Sequence, residues 1–168
     1  MPDVRDLAQF MFGHEGGFWY AHPLGEIRGL TEDQLFAVPN ENALCILWQV
    51  GHIAHRERAH IAHICRAPEG DGTPFEYEAF GDNWISADQL REAVVVDEVC
   101  DWVREVRRTS LEYIASVTAE DMDRLTGDPE DGLTVAHWLM ITAAHGALHI
   151  GRIQALRAWL EGDEERAC

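Results

Sequence analysis

The chain has 168 residues, with 30 acidic and 13 basic side chains, and its formal charge is −17 when the nine histidines are counted as neutral. Every basic residue is an arginine, which excludes chemistry that needs a lysine nucleophile or the lysine of a phosphate-binding loop. A polyanion of this size repels phosphate backbones, so we expect no nucleic-acid partner.

Length and composition predict a single domain over residues 1–168. No apolar run approaches the roughly 20 residues that a membrane span requires, and the first residues lack the basic and apolar regions of a signal peptide. We therefore expect a cytoplasmic protein with no membrane partner. The four cysteines show no C-x-x-C spacing and are too few for a disulfide scaffold, so we expect free thiols, most of them buried.

The hydrophobic periodicity is helical along most of the chain and predicts four long helices. The first is expected at about residues 4–20, although three glycines weaken it. The stretch Gly29-Leu-Thr-Glu-Asp-Gln-Leu predicts a capped single turn. Asn40 or Asn42 then offers an N-cap for a second helix of about residues 43–65.

A long connection follows the second helix. Residues 66–85 are rich in glycine, proline and acidic side chains but carry four aromatic residues, which predicts a crossover held in place by its aromatic side chains. Ser86-Ala-Asp-Gln resembles a capping box and opens a third helix that should reach about Val117. The last helix is expected over residues 134–161, closed by Gly162. Four long helices with one long crossover, between the second and third, predict an all-α four-helix bundle.

Two helical faces carry most of the histidines. At about 100° per residue, one stripe of the second helix and one of the last helix combine histidines with apolar residues, which predicts that both stripes face the core. The stripe of the second helix contains Cys45, Trp48, His52, His55, Ala59 and His63. The stripe of the last helix contains Trp138, Ile141, His145, His149, Arg152 and Leu156.

His145 and His149 are four residues apart, which places two imidazoles on one helical face within reach of a single metal ion. A third ligand must come from another helix, and His52 is the best placed because it lies mid-helix on the inward stripe. Three histidines leave open positions for water or substrate, as catalytic metal sites do. The alternative is that these are core histidines satisfied by hydrogen bonds.

The other histidines are weaker candidates. His55 and His63 share the stripe of His52, and we expect them to be exposed or to lie beside the pocket. His60 lies about 80° off that stripe and is expected to be solvated. His14 would approach from the first helix, and whether His14 or His55 joins the site is open. Structural roles are expected for the remaining two, His22 and His137.

A di-iron centre is excluded by the pattern of the last helix. Glu57-Arg-Ala-His60 has the Glu-x-x-His spacing of di-iron bundles, but the motif needs a twin. Thr142 stands where a second glutamate would precede His145. The chain also lacks a GxSxG nucleophile elbow, a lysine-containing phosphate loop and Cys/His finger spacing, so a histidine-bound metal is the chemistry that the sequence favours.

Two segments together resemble a known family. They are Leu47-Trp-Gln-Val-Gly-His52-Ile-Ala-His-Arg-Glu57 and, much later, His145-Gly-Ala-Leu-His149-Ile-Gly-Arg-Ile-Gln154. This pair, with the helix order and the turn before the second helix, resembles the DinB/YfiT-like superfamily of bacterial four-helix bundles. The resemblance implies a divalent metal bound by His52, His145 and His149, the same three residues that spacing favours. It also implies a transferase or isomerase that uses a low-molecular-weight thiol such as mycothiol or bacillithiol.

Our leading hypothesis is an enzyme that acts on a small molecule with Zn²⁺ or Ni²⁺, or else iron, at the three-histidine site. The ion would lower the pKa of a thiol or water bound to it and so generate a nucleophile near neutral pH. Arg152, one turn beyond His149, could hold a substrate carboxylate or form a salt bridge with an acidic residue. Trp48 is expected as a wall of the pocket or as a core residue, and His55 as a pocket-lining residue.

Two other functions stay open. One is a non-catalytic dimeric bundle that binds a metal or a small molecule in a stress response, and we expect a homodimer for the enzyme as well. The other is a histidine-rich surface that scavenges metal, for which His60 and His63 would matter as much as His149. The sequence leaves the substrate, the catalytic residues and the native metal open.

Overall fold

The computed structural model describes residues 6, 12, 22–66, 77–126 and 132–166. Its helices are α1 Pro23–Glu26, α2 Glu32–Phe36, α3 Ile46–Arg58, α4 Ala87–Ala93, α5 Val96–Ser116, α6 Ala119–Asp123 and α7 Val135–Arg166. A π-helical segment, Ala59–Arg66, continues α3, and a short helical turn spans Glu78–Phe80. Leu125 and Thr134 form an isolated antiparallel bridge, and the described residues contain no strand. The predicted all-α bundle is confirmed.

Helix α3 lies at the centre of the described part and packs against both α7 and α5. Its first turns are buried because most of their side chains are apolar, with Ile46, Leu47 and Val50 each 0% exposed. A second apolar cluster includes Ile61 of the π-helical segment and Leu139 of α7. Burial of these side chains is the main force that holds the helices together.

Three short helices begin at capping boxes, in which the N-cap side chain and the third helical residue bond each other's backbone N–H groups. Thr31 pairs with Gln34 at the start of α2, and Thr118 pairs with Asp121 at the start of α6. Ser86 caps α4 in the same way with Gln89. The predicted capped turn after Gly29 and the predicted capping box at Ser86 are confirmed.

The predicted third helix is interrupted. Helix α4 ends at Ala93, and Val94 and Val95 are extended, with φ of −136° and −104°, before α5 starts at Val96. Three consecutive β-branched valines lose side-chain freedom in a helix, which favours extended backbone at this point.

The ends of the two central helices also differ from prediction. Helix α3 starts at Ile46, because the side chain of Asn40 accepts a bond from Asn42 N at 3.0 Å and closes a local turn instead of capping the helix. Helix α7 runs on through Gly162 to Arg166. In the described residues only Gly29 and Gly132 among the glycines have positive φ, so Gly162 lacks the left-handed backbone of a glycine cap.

Two predicted segments fall mainly outside the described residues. Of the first helix, only Asp6 and Phe12 are described, and both are helical. Residues 67–76 of the crossover and residues 127–131 also lie outside. The described end of the crossover packs inward at Phe80, which is 0% exposed and stacks on Trp102 at 6.1 Å, whereas Trp84 is 58% exposed.

Three of the four cysteines lie in the described part, and each is a free thiol. Cys45 and Cys65 are buried and Cys100 is half-buried, as the sequence predicted for most of them. Burial raises the pKa of the Cys65 thiol to about 12 and raises that of Cys45 as well, so both stay protonated and unreactive at neutral pH. None of the described helices has the length and apolarity that crossing a membrane requires.

Candidate metal centre

Three imidazoles from two helices converge between α3 and α7. His52 lies on α3, and His145 and His149 lie one turn apart on α7. Each offers one ring nitrogen, and these atoms all lie within 4.8 Å of one another. The Nε2 atoms of His145 and His149 are 3.1 Å apart, and the His52 ring centroid is 4.7 Å from that of His149. The cluster therefore offers two nitrogens from one helix and one from its neighbour.

Two of the three rings are oriented by hydrogen bonds at Nδ1. His52 Nδ1 donates to the backbone oxygen of Phe80 at 2.7 Å, and His149 Nδ1 donates to Gln49 Oε1 at 2.5 Å. Because an oxygen of this kind only accepts, the proton of each neutral ring sits on Nδ1 and Nε2 keeps its lone pair. This is the arrangement by which proteins orient histidine ligands toward a metal.

The ring of His52 is also held from its face. Trp48, one turn earlier on α3, stacks on it with centroids 4.4 Å apart and an angle of 15° between the planes. The indole Nε1 of Trp48 donates to the backbone oxygen of Ala79 at 3.1 Å. The helical turn Glu78–Phe80 therefore fixes both side chains through its carbonyl groups.

A glycine allows that turn to approach α3. A Cβ atom at Gly51 would lie 2.4 Å from the ring of Phe80, far inside van der Waals contact. Phe80 can thus be fully buried directly against the helix backbone, and its carbonyl reaches the neighbouring His52.

The electrostatic surroundings keep the three rings neutral. Burial lowers the pKa of His52, lowers that of His145 to about 4 and lowers that of His149 to about 3. The guanidinium of Arg152 acts in the same direction on all three. A histidine must be neutral to coordinate a metal, so the donor set fits a divalent cation that accepts imidazole nitrogen.

A family model described as the DinB superfamily matches residues 24–153 of the chain. The chain belongs to the DinB superfamily. The matched range includes α3, α5 and all three clustered histidines, and membership confirms the resemblance found in the sequence. Among curated proteins no match is found.

The three predicted ligands of this DinB-superfamily protein come together, whereas the three predicted substrate-binding residues lie in different surroundings. Arg152 is exposed and lines a cleft beside the site. Trp48 is buried against His52, which agrees with a wall of the site and with a core residue. His55 is half-buried near Gly81, and burial lowers its pKa to about 4, with Arg56 and His52 adding to the effect.

His60 is buried, so its predicted solvation was wrong. Its Nδ1 donates to Thr142 Oγ1 at 2.9 Å, and the Thr142 hydroxyl donates in turn to the backbone oxygen of Trp138 at 2.7 Å. The α-helical angle count fails here because α3 gives way to the π-helical segment at Ala59, whose wider turn changes which side chains face α7.

Glu57 is not available as a metal ligand. Its carboxylate is 2% exposed and is held by Arg107, whose Nε donates to both oxygens at 3.0 Å. Thr142, which replaces the glutamate of a di-iron motif, bonds His60 instead. The exclusion of a di-iron centre therefore agrees with the contacts of both residues.

The remaining histidines either form hydrogen bonds with nearby residues of the chain or lie outside the described part. His22 Nδ1 accepts from Leu24 N and caps α1, and His137 Nδ1 accepts from Thr134 N at the start of α7. Both roles are structural, as predicted. His14 and the side chain of His63 lie outside the described part.

Sequence reasoning missed two residues that orient the ligands. Gln49 lies one turn before His52 on the inward face of α3, so its helical spacing was a usable signal. Phe80 acts through its backbone oxygen, 28 residues from its partner, and no side-chain pattern announces such a contact.

Proposed function

We propose that this protein is a divalent-metal-dependent enzyme in which His52, His145 and His149 hold the ion. The observation that carries the proposal is the convergence of three neutral imidazoles within 4.8 Å, two of them oriented by hydrogen bonds at Nδ1. Without an ion, the Nε2 atoms of His145 and His149 can only pair with each other, at 3.1 Å, whereas a shared cation would be bound by all three rings. Membership of the DinB superfamily supports the same reading.

We further propose a thiol-dependent transfer or isomerisation of a small molecule. A bound cation with open positions supplies one thing, a lowered pKa for a thiol or water that coordinates it. The chain's own residues would do the rest. Trp48 keeps the His52 ring in place, and the nearby guanidinium of Arg152 favours an anionic substrate. Zn²⁺ and Ni²⁺ are the first metals to test, and iron is the next, because all three accept imidazole ligands.

Metal content is the first test. Protein purified without a histidine tag should contain close to one metal ion per chain, and His145→Ala should contain almost none. His60→Gln is the matched control, because glutamine keeps a donor for Thr142 and lies outside the three-histidine cluster. Near-zero metal in all three proteins would contradict the proposal. Equal loss in His60→Gln and His145→Ala would indicate metal scavenging by many histidines instead.

Turnover is the second test. A panel of low-molecular-weight thiols paired with electrophilic substrates should include at least one pair that reacts only with metal-loaded protein. Chelation should remove the activity, and Zn²⁺ or Ni²⁺ should restore it. Protein that holds metal but turns over no pair, with or without thiol, would favour the non-catalytic alternative.

The dimeric binding protein is the second candidate, and one surface favours it. Helix α7 exposes three large apolar side chains, and apolar surface of this kind is available for contact with a second copy of the chain. They are Met140 at 37%, Ile141 at 39% and Leu148 at 55% exposure. Light scattering of the wild type and of Leu148→Glu tests it: a homodimer should become monomeric on substitution, and a monomeric wild type would refute the dimer.

A further inference from the structure

A cleft of about 410 Å³ lies beside the three-histidine site. Its lining combines apolar surface with amide and guanidinium groups. The residues are Asn42, Leu44, Gln49, Arg152, Ala155 and Leu156. Such a mixture of an apolar wall and a few polar groups is typical of small-molecule sites.

Gln49 brings two N–H donors to this cleft. Its side chain is only 4% exposed, and its Oε1 is occupied by His149 Nδ1 at 2.5 Å. No described residue accepts a hydrogen bond from its Nε2. Because this nitrogen reaches the cleft and is not sealed in the core, its two N–H groups are available to an acceptor that binds there.

Arg152 brings a positive charge to the same cleft. The described residues give its guanidinium neither a hydrogen bond nor an ion pair, although acidic residues outnumber basic ones 30 to 13 in the chain. Its charge is close enough to the site to lower the pKa of His149. An arginine that forms no ion pair with the carboxylates of the described residues is available for the carboxylate of a ligand.

We propose that this cleft binds the carboxylate group of a small, partly apolar molecule. Gln49 Nε2 and Arg152 donate to the carboxylate, and Leu44 and Leu156 contact the apolar part. This proposal rests on the proposed function, because the ligand of the cleft is taken to be the substrate of the adjacent metal site.

The two sites share one hydrogen-bond chain. When His149 binds a metal through Nε2, its proton must be on Nδ1, and Gln49 must then present Oε1 to it. The amide nitrogen of Gln49 is thereby turned away from His149 and is free to meet a carboxylate. Metal in one site and carboxylate in the other should therefore strengthen each other's binding by the same factor.

Binding of hexanoate, followed by amide chemical shifts of ¹⁵N-labelled protein, tests the cleft. Neutral 1-hexanol is the matched probe, since it keeps the chain but lacks the charge. We expect hexanoate to bind at least about tenfold more tightly than 1-hexanol. Zinc-loaded protein should bind it more tightly than chelator-treated protein.

Three variants test which residues bind hexanoate. Arg152→Gln should weaken hexanoate binding about tenfold and leave metal content unchanged. Gln49→Glu should keep an acceptor for His149, and so keep zinc, while repelling hexanoate. Arg104→Gln is the control, because Arg104 is exposed and paired with Asp101 on α5 away from the cleft.

The outcomes separate this proposal from the metal proposal. Equal binding of hexanoate and 1-hexanol, or a wild-type response of Arg152→Gln, would overturn the cleft whether or not the protein holds zinc. Hexanoate binding that survives in chelator-treated protein and is lost in Arg152→Gln supports the cleft, even if no metal is ever found in the protein.

Discussion

Glu57 of α3 and Arg107 of α5 form an ion pair inside the bundle, with Arg107 Nη2 2.8 Å from Glu57 Oε2. Arg107 also donates to the backbone oxygen of Phe12 and lies over its ring at 5.1 Å. One buried guanidinium thus joins two helices and Phe12 of the N-terminal segment. Each charge compensates the other, so removal of one alone leaves the other unpaired in the interior.

Glu57→Gln should destabilise the protein by about 3–5 kcal/mol, because the Arg107 charge stays buried without its partner. Urea unfolding measures this free energy. Asp33→Asn is the control, since Asp33 and Arg91 form an exposed pair at 2.9 Å that should contribute far less. Similar losses of unfolding free energy in the two variants would show that the buried ion pair contributes no more to stability than the exposed one. Metal content should be unchanged in both.

Gly51→Ala tests the approach of Phe80 to α3. The added methyl group would overlap the Phe80 ring, so the turn must move and carry the carbonyl that orients His52 with it. We expect a loss of about 1–3 kcal/mol in unfolding free energy together with weaker zinc binding. Urea unfolding and a zinc titration measure the two effects.

Gly151→Ala in α7 is the matched control for that change. No atom lies within 4 Å of a Cβ at this position, and alanine is the better helix former, so stability should rise by up to about 1 kcal/mol with zinc affinity unchanged. If Gly51→Ala behaved like Gly151→Ala, the close contact with Phe80 would have no role in holding the site.

The ligand cluster was predictable because it depends on helical spacing. His145 and His149 share a face by their separation alone, and His52 had only to lie inward on a neighbouring helix. The capping boxes at Thr31 and Ser86 were predictable for the same reason, since both partners lie within four residues.

The missed features depend on departures from a regular helix or on distant chain segments. His60 is buried because a π-helical segment replaces the α-helix from Ala59, and the residue pattern gave no sign of that change. The Phe80 carbonyl reaches His52 only through tertiary packing. The helix breaks at Val94 because three consecutive β-branched residues there outweigh the helical hydrophobic pattern on both sides.

Zinc should stabilise the folded protein if the three histidines form a site only in the native state. At a free concentration 1,000 times the dissociation constant, the gain in unfolding free energy is about 4 kcal/mol. Thermal unfolding with and without a chelator measures it. His149→Ala should show no zinc-dependent shift, while His137→Ala, at the exposed start of α7, should respond like the wild type. A shift that persists in His149→Ala would place the metal elsewhere.

His60 should make stability depend on pH in metal-free protein. Burial lowers its pKa to about 4, and the charges of His145 and Arg56 act in the same direction. Between its ordinary pKa of 6.5 and this value, the unfolded chain binds a proton that the native protein does not. Unfolding free energy should therefore fall as pH falls through this window, by up to about 1.4 kcal/mol per pH unit from His60 alone.

His60→Gln isolates that contribution, because it keeps a donor for Thr142 and cannot titrate. Urea unfolding gives the unfolding free energy of the chelator-treated wild type and variant at each pH. Above about pH 7.5 the two curves of free energy against pH should run parallel, because His60 is then neutral in the native and in the unfolded protein. The wild-type curve should fall more steeply below about pH 6.5 and lose the extra slope near pH 4, where His60 binds a proton in both states. The other buried histidines titrate in both proteins, so the difference between the slopes belongs to His60. Identical slopes throughout would mean that His60 is protonated as easily in the native protein as in the unfolded chain. We do not expect this result, because the ring of His60 is buried against Trp138 and His145.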